Sequence, residues 1–475
     1  MSISDLSNSE IDAKNPQIPR INLATMLQLG LFQIGLGMMS VLIFGVLNRV
    51  LIKELQVPGT IATIILALTL FVAPARVFFG QLSDRQKILG YHRSGYVWIG
   101  AGSLAILAFI IVQIMWQVGD SLKNQGWSSQ TYFFICLLAV FFALYGIAVS
   151  LASTPFATLL VDVSDDDNRS KLIGVDWSML MIGIIIGAIT IGVLLKRLNI
   201  DANITEVKAA INRLFFVVPL IVFGLAIAAT WGIEKKYSRY HLRNISNDSE
   251  QVTFGAALKI LTANKQTQIF FTFLLAMTLG LFIQDAILEP YGGDIFKMKI
   301  GESASLNAFW GTGTLIGLLI TGFLLAPKLG KQKTTKIGCL AAVFSLILVI
   351  CAGFTGLQIY LKVSLLIFGL SSGMVTTGAL TLMLDLTAAE TAGTFIGAWG
   401  FSQAFARGMA TIGGGVLLDM GKQIFPNNLL WVYTLIFGVQ AGFMLMAVWL
   451  LNNVNIQEFK INAERAIATV ITNDN

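Results

Sequence analysis

An all-α polytopic membrane protein, with twelve transmembrane helices in two six-helix halves, is the fold class this sequence predicts. Three observations lead there. Of the 475 residues, 55% are hydrophobic and only 12% charged, whereas about a quarter of a soluble protein's residues carry charge. The apolar residues gather into long runs joined by short polar connections. One stretch also recurs, in the same order, on either side of a polar segment near the middle of the chain.

A bilayer core of ~30 Å takes roughly 20 apolar residues as a helix. Runs of that kind are predicted at 28–50, 58–82, 94–116, 131–160, 172–196, 213–232, 267–290, 303–327, 336–356, 358–384, 392–418 and 429–451. Their length and frequent glycines argue against a membrane barrel, whose strands are short and alternating. The chain therefore divides into a polar tail 1–27, a helical bundle 28–232, a linker 233–266, a second bundle 267–451 and a tail 452–475. The first residues, MSISDLSNSEIDAKNPQIPR, lack the apolar core and small-residue cleavage pattern of a signal peptide. Lys and Arg favour the tails and even-numbered connections, which predicts that both termini are cytoplasmic. The net charge of +6 is spread over these connections. The lipid bilayer is thus an expected partner, and nucleic acid is not. Cys136, Cys339 and Cys351 lie in predicted spans without ligand spacing, and are read as small core residues rather than a disulfide or metal framework.

The repeat ties the halves together. Leu159 to Trp177 reads LLVDVSDDDNRSKLIGVDW and Leu382 to Gly400 reads LMLDLTAAETAGTFIGAWG, an offset of 223 residues. Asp162 then meets Asp385, Thr154 meets Thr377, Thr158 meets Thr381, and Ile173-Gly174 meets Ile396-Gly397. Both segments join a fourth span to a fifth on the same predicted side, so the repeat is parallel, as between the halves of a major facilitator transporter. Gly80-Gln81-Leu82-Ser83-Asp84-Arg85 resembles the G-x-L-x-D-R motif of that superfamily, although Lys87 stands where a second glycine is expected. Gly80, Asp84 and Arg85, with Asp162 and Asp385, are the candidate conformational latch. Lys87 and Arg93 are read as an interfacial cluster that fixes topology.

Ionisable groups inside spans are costly and usually face a bundle interior or cavity. Arg407 lies deep in span eleven, and Gln403, four residues earlier, shares its face. Arg76 lies in span two on the stripe of Asp84. Each is either a functional group or a structural charge with a local partner. In QDAILEPYGG (284–293), Asp285 and Glu289 are one helical turn apart. Pro290 cannot donate to the Ala286 carbonyl, and Gly292-Gly293 allow the chain to leave the helix. Two carboxylates, a freed carbonyl, Gln284 and Tyr291 would then form a cluster suited to a cation, a proton, a polar ligand edge or the magnesium of a tetrapyrrole. The alternative is that both acids are simply wet near the boundary.

These residues carry a resemblance. QDAILEPYGG is similar to the signature of the PucC-type (bacterio)chlorophyll-delivery family of the major facilitator superfamily. LNRVLIKELQVP (47–58), with Asn48 and Arg49, resembles its first-loop segment; APARVFFGQLSD (73–84), with Arg76, and YVWIG (96–100) resemble further motifs. Arg407 matches no family motif. The resemblance implies a non-enzymatic carrier and assembly factor that delivers chlorophyll or bacteriochlorophyll to light-harvesting or photosystem subunits. Tetrapyrrole pigment and pigment-synthesis enzymes are further expected partners, in a thylakoid or plasma/intracytoplasmic photosynthetic membrane. No permanently bound cofactor is expected, only transient pigment. The two histidines, His92 and His241, fall in predicted connections, so Gln284, Glu289, Asn48, a carbonyl or a water would have to ligate magnesium, a hard ion that takes oxygen. Read without the resemblance, a proton-coupled transporter of another small hydrophobic or amphipathic compound fits, with Asp285 or Glu289 as the proton site. Nucleotide loops, metal clusters and nucleophile–histidine pairs are not found in the sequence.

Overall fold

The computed structural model describes residues 19–164, 166–196, 198, 203–238, 265–385 and 392–454. In chain order its helices are α1 Leu23–Ser40, α2 Gly59–Phe71, α3 Ala75–Arg85, α4 Ser94–Gln125, α5 Ser129–Val163, α6 Asp166–Leu194, α7 Ile204–Thr230 and the short α8 Ile233–Tyr237. After the segment 239–264 come α9 Lys265–Phe282, α10 Leu288–Asp294, α11 Ile300–Ala304, α12 Leu306–Ile320, α13 Lys331–Thr355, α14 Gln358–Asp385, α15 Ala392–Ile424 and α16 Leu429–Asn452. Among the described residues, ten helical stretches are long and apolar enough to cross a membrane, so the chain is an integral membrane protein. The expected second span is instead split: α2 ends at Phe71, a turn occupies Val72–Pro74, and α3 resumes at Ala75. Pro74 disfavours a helical residue before it and lacks an N–H for the preceding turn. Most of the 233–266 linker and of both tails lies outside the described residues.

Local chemistry sets several ends. The Asn22 carboxamide accepts from Thr25 N, and Ser128 accepts from Thr131 N, each satisfying an orphan donor of a first turn. The first span outlasts its apolar run because α1 continues through wide π turns, Val41–Leu47 and Val50–Glu54. Packing relies on small residues, as expected where lipid is as apolar as the helix surface. A methyl placed on Gly313 would strike Leu366 O, and one on Gly369 would strike Trp310 O, so α12 and α14 run backbone to backbone. Of the three cysteines only Cys339 is buried; Cys136 and Cys351 are exposed on outer helix faces, which corrects their reading as core residues.

The sequence repeat has a spatial counterpart. A Cβ on Gly80 would sit 3.5 Å from Thr154 Cγ2, and one on Gly322 would sit 4.0 Å from Thr377 Cγ2. Thr154 and Thr377 are the repeat-related pair, and each accepts at its carbonyl from the hydroxyl one turn on, Thr158 at 3.0 Å and Thr381 at 2.8 Å.

Candidate functional site

The segment that carries the acids is broken, but not where the sequence places the break. α9 ends at Phe282, a tight 3-10 turn covers Ile283–Ala286, and Ile287 departs from helical geometry with φ −122° and ψ −13°. Pro290 then falls in the first turn of α10, where its missing N–H has no intrahelical partner to lose. Gly292 and Gly293 remain helical. The predicted exit at Pro-Tyr-Gly-Gly is thus corrected to an interruption at Ile287. The Ala286 carbonyl is nevertheless taken from outside its own helix, accepting from Asn48 Nδ2 at 2.6 Å. A side chain of the first span therefore holds the break in the seventh.

Asp285 and Glu289 line one cavity of about 160 Å³ between elements from before and after the 239–264 segment. Ser40 to Gly45 and Trp177 to Ile184 wall one side; α9, α12, α14 and α15 wall the other. Arg407 Nη2 donates to Asp285 Oδ2 at 2.8 Å. The guanidinium lies 4.5 Å from the Phe282 ring centroid and 5.7 Å from that of Phe44, a cation–π seat that partly replaces lost hydration. Gln403 lines the same space. Glu289 is buried; its Oε1 accepts from Asn307 Nδ2 at 2.9 Å, while its Oε2 has no partner. Gly45 makes that position accessible, since any Cβ there would collide with Glu289 Oε1. Trp310 also lines the cavity, with its indole N–H unpartnered. The result is an aromatic-walled space holding one ion pair, one half-satisfied acid and two free N–H donors, Trp310 Nε1 and Arg407 Nε. Such a space suits an amphipathic guest with a polar edge.

Arg49 is buried but belongs to a clasp at one end rather than to the cavity wall. It donates to the carbonyls of Lys299 (3.0 Å) and Met298 (2.7 Å) and to the Ser303 hydroxyl. Lys53 pairs with Asp294 at 3.1 Å, and Tyr433 donates to the same carboxylate at 2.7 Å. Gly293 allows this approach: a Cβ there would meet Lys53 Nζ at 2.7 Å and Arg49 Nη2 at 3.0 Å. Gly292 packs similarly against Leu306 and Met298. Asp419 accepts from the amides of Gly59 (2.9 Å) and Thr60 (2.7 Å), capping α2 from the far part of the chain. Tyr291 is buried in an aromatic cluster with Tyr433 and Phe437 and donates to Val349 O. Gln284 is buried with its carboxamide oxygen unpartnered. Among the described residues, the polar bonds joining the two parts of the chain gather at this end.

The opposite end carries the motif residues. Arg93, only 1% exposed, donates to Asp162 Oδ2 at 2.8 Å, to Ser83 Oγ at 2.6 Å and to Asp84 Oδ1 at 2.5 Å. The Glu234 carboxylate accepts from the amides of His92, Arg93 and Ser94, capping α4. Arg93 is thus a buried tie between α3, α4 and α5, which corrects its reading as a topology marker. These bonds lie within the first part of the chain, so Asp84 and Asp162 brace that part internally. Burial, with Lys87 and Arg93 nearby, holds the His92 imidazole below its ordinary value. Arg76 is exposed and lies outside the cavity lining, as does exposed Arg85. Asp385 closes α14, and its side chain, like His241, lies outside the described residues.

Sequence reasoning passed over several participants. Asp176 is buried in α6 and accepts from Gln33 at 2.6 Å, beside the cavity residue Trp177. Its position, an acid inside an apolar run, is the signal that singled out Asp285. Asp419 stands near the end of its run and reads as an interfacial charge until α2 is seen against it. Asn307, Trp310 and Phe44 have no sequence signal beyond being polar or aromatic in a span.

The PUCC protein family model matches residues 46–459. Protein PucC of Cereibacter sphaeroides is 28% identical over 449 residues, covering 92% of each chain. The protein of Rhodobacter capsulatus named bacteriochlorophyll synthase 44.5 kDa chain is 26% identical over 436 residues, covering 90% of this chain and 94% of that one. Among solved structures, a point mutant of the nucleoside transporter NupG aligns with a TM-score of 0.67 at 12% identity, over 90% of this chain and 99% of its own. That likeness shows that the chain shares the fold of that transporter. The family match, spanning both the Asn48 segment and the broken helix, shows that the chain belongs to the PUCC protein family.

Proposed function

We propose that this protein is a non-enzymatic membrane carrier and assembly factor that delivers chlorophyll or bacteriochlorophyll to light-harvesting or photosystem apoproteins. One observation carries the reading: within a PUCC-family chain, the acids of the 284–293 signature line an aromatic-walled cavity between two parts of a transporter fold. The carrier has twelve spans in two six-helix halves, α2–α3 and α15 supplying the two beyond the ten long apolar stretches. It sits in a photosynthetic membrane with both termini cytoplasmic. The name of the Rhodobacter capsulatus relative supports a link to bacteriochlorophyll. Pigment is held transiently, through oxygen ligands and hydrogen bonds rather than imidazole. The test is gentle purification from a pigmented membrane. Co-purified pigment and antenna or photosystem subunits are expected; a colourless, partner-free protein, with normal pigment–protein assembly in a deletion strain, refutes it.

A second reading is favoured by the unpartnered Oε2 of Glu289: proton-coupled transport of another small amphipathic compound. It requires substrate flux that collapses with the proton gradient and in Glu289→Gln. Flux indifferent to both removes it.

A further inference from the structure

The cavity's charges discriminate between forms of a guest. Arg407 is the cation among the lining residues, and Asp285 already holds it at 2.8 Å. Glu289 adds a second acid, anchored through Oε1 by Asn307 and unpartnered at Oε2. Two N–H groups of lining residues, Arg407 Nε and Trp310 Nε1, are also buried without partners. A matching guest therefore brings carbonyl oxygens for two donors and a neutral hydrogen-bond donor or acceptor for Glu289. A guest carboxylate meets the wrong field. If Glu289 is ionised, it repels the carboxylate; if protonated, it offers a hydrogen bond but no compensating charge. Arg407 has a free Nε–H to offer, but its charge is already matched by Asp285, so a guest carboxylate there would make two anions share one cation.

Size adds a second constraint. A cavity of about 160 Å³ compares with the roughly 150 Å³ that holds one benzene-sized ring. One ring edge of a tetrapyrrole enters, and the rest of the macrocycle stays outside.

We propose that the cavity selects neutral, esterified pigment over the free-acid form, that it receives the carbonyl-bearing edge of one ring, and that Glu289 is the residue that sets this specificity. The inference rests on the pigment-delivery reading. It also places the protein in a reaction sequence: its cargo is supplied by a step that alkylates the pigment carboxylate. In that step the carboxylate oxygen forms the new C–O bond as an activated alcohol's leaving group departs with the bonding pair.

The experiment titrates the full-length purified protein in detergent with three probes: chlorophyllide a, its methyl ester and chlorophyll a. Chlorophyllide carries the free carboxylate, and its methyl ester removes the charge without adding a long tail. The methyl ester is expected to bind at least about tenfold more tightly than the acid, because the acid must lose hydration without gaining a counter-charge. Glu289→Gln should narrow that ratio by strengthening acid binding. Equal affinities for acid and methyl ester in the wild-type protein overturn the proposal, even if the variant fails to fold. So does an unchanged ratio in a variant that elutes as the wild type does. If none of the three probes binds, the pigment reading itself falls.

Discussion

Arg407→Gln offers the sharpest perturbation of the site, because it leaves Asp285 with no cation while changing little volume. The magnitude follows from where the pair sits. An exposed ion pair contributes about 0–1 kcal/mol, whereas breaking a buried one costs about 3–5 kcal/mol. The Arg407 side chain is 33% exposed and that of Asp285 14%, so water screens the pair partly and the cost falls near 2 kcal/mol. That is roughly a 30-fold loss in the folded-to-unfolded ratio. The double variant Asp285→Asn, Arg407→Gln removes the orphaned charge and should recover about 1 kcal/mol of the loss. The assay is the midpoint of SDS-induced unfolding in mixed micelles, read by tryptophan fluorescence for the wild type, both single variants and the double. A single Arg407→Gln variant as stable as the wild type, or a double variant no better than the sum of the singles, would refute the reasoning.

Gly45→Ala should cost about 1–3 kcal/mol, since its methyl would collide with Glu289 Oε1; the same unfolding midpoints check it, and Glu289→Ala in the same chain should restore part of the loss. Asp419→Ala should cost about 1–2 kcal/mol by stripping the cap from the Gly59 and Thr60 amides. It should also raise the labelling rate of a cysteine placed at Thr60, and unchanged labelling would argue that the clasp does not depend on this cap. For His92, the folded-state value is lowered by burial, so the unfolded chain takes up the proton first as pH falls. Its contribution is full above about pH 6.5 and is lost below that value. Between pH 7.5 and 5.5 the wild type should therefore lose thermal stability more steeply than His92→Gln, and parallel curves would contradict this.

Much of the fold was legible because lipid imposes a simple rule: a span must be long, apolar and internally hydrogen-bonded. The same rule placed the second span at 58–82 but not the break inside it, where Pro74 splits the run into α2 and α3. Asp285, Glu289, Gln403 and Arg407 were legible as misplaced polar groups, and the structure gathers all four around one space. Arg76 obeyed the same pattern yet is exposed, because a stripe position tells which residues share a helix face, not what that face meets. Asn48 and Arg49 were picked by motif alone, and both engage backbone carbonyls in the other part of the chain. Such bonds have no sequence signature, because the acceptor is a carbonyl every residue possesses. Arg93 was misjudged for a related reason: a cation beside a membrane boundary usually faces headgroups, and only its three-way engagement reveals the brace.

The bond from Asn48 to Ala286 gives the interruption at Ile287 a dependence on the rest of the molecule. Its stabilising donor is supplied across the joint, so the kinked form of this rod is only as secure as the docking of the first span beside it. Should the two parts draw apart at this end, the exposed oxygen must find water or the turn must rewind, and Asp285 and Glu289, flanking the kink, would swing relative to one another. Grip on a guest and closure of the clasp are thereby written into the same few peptide units.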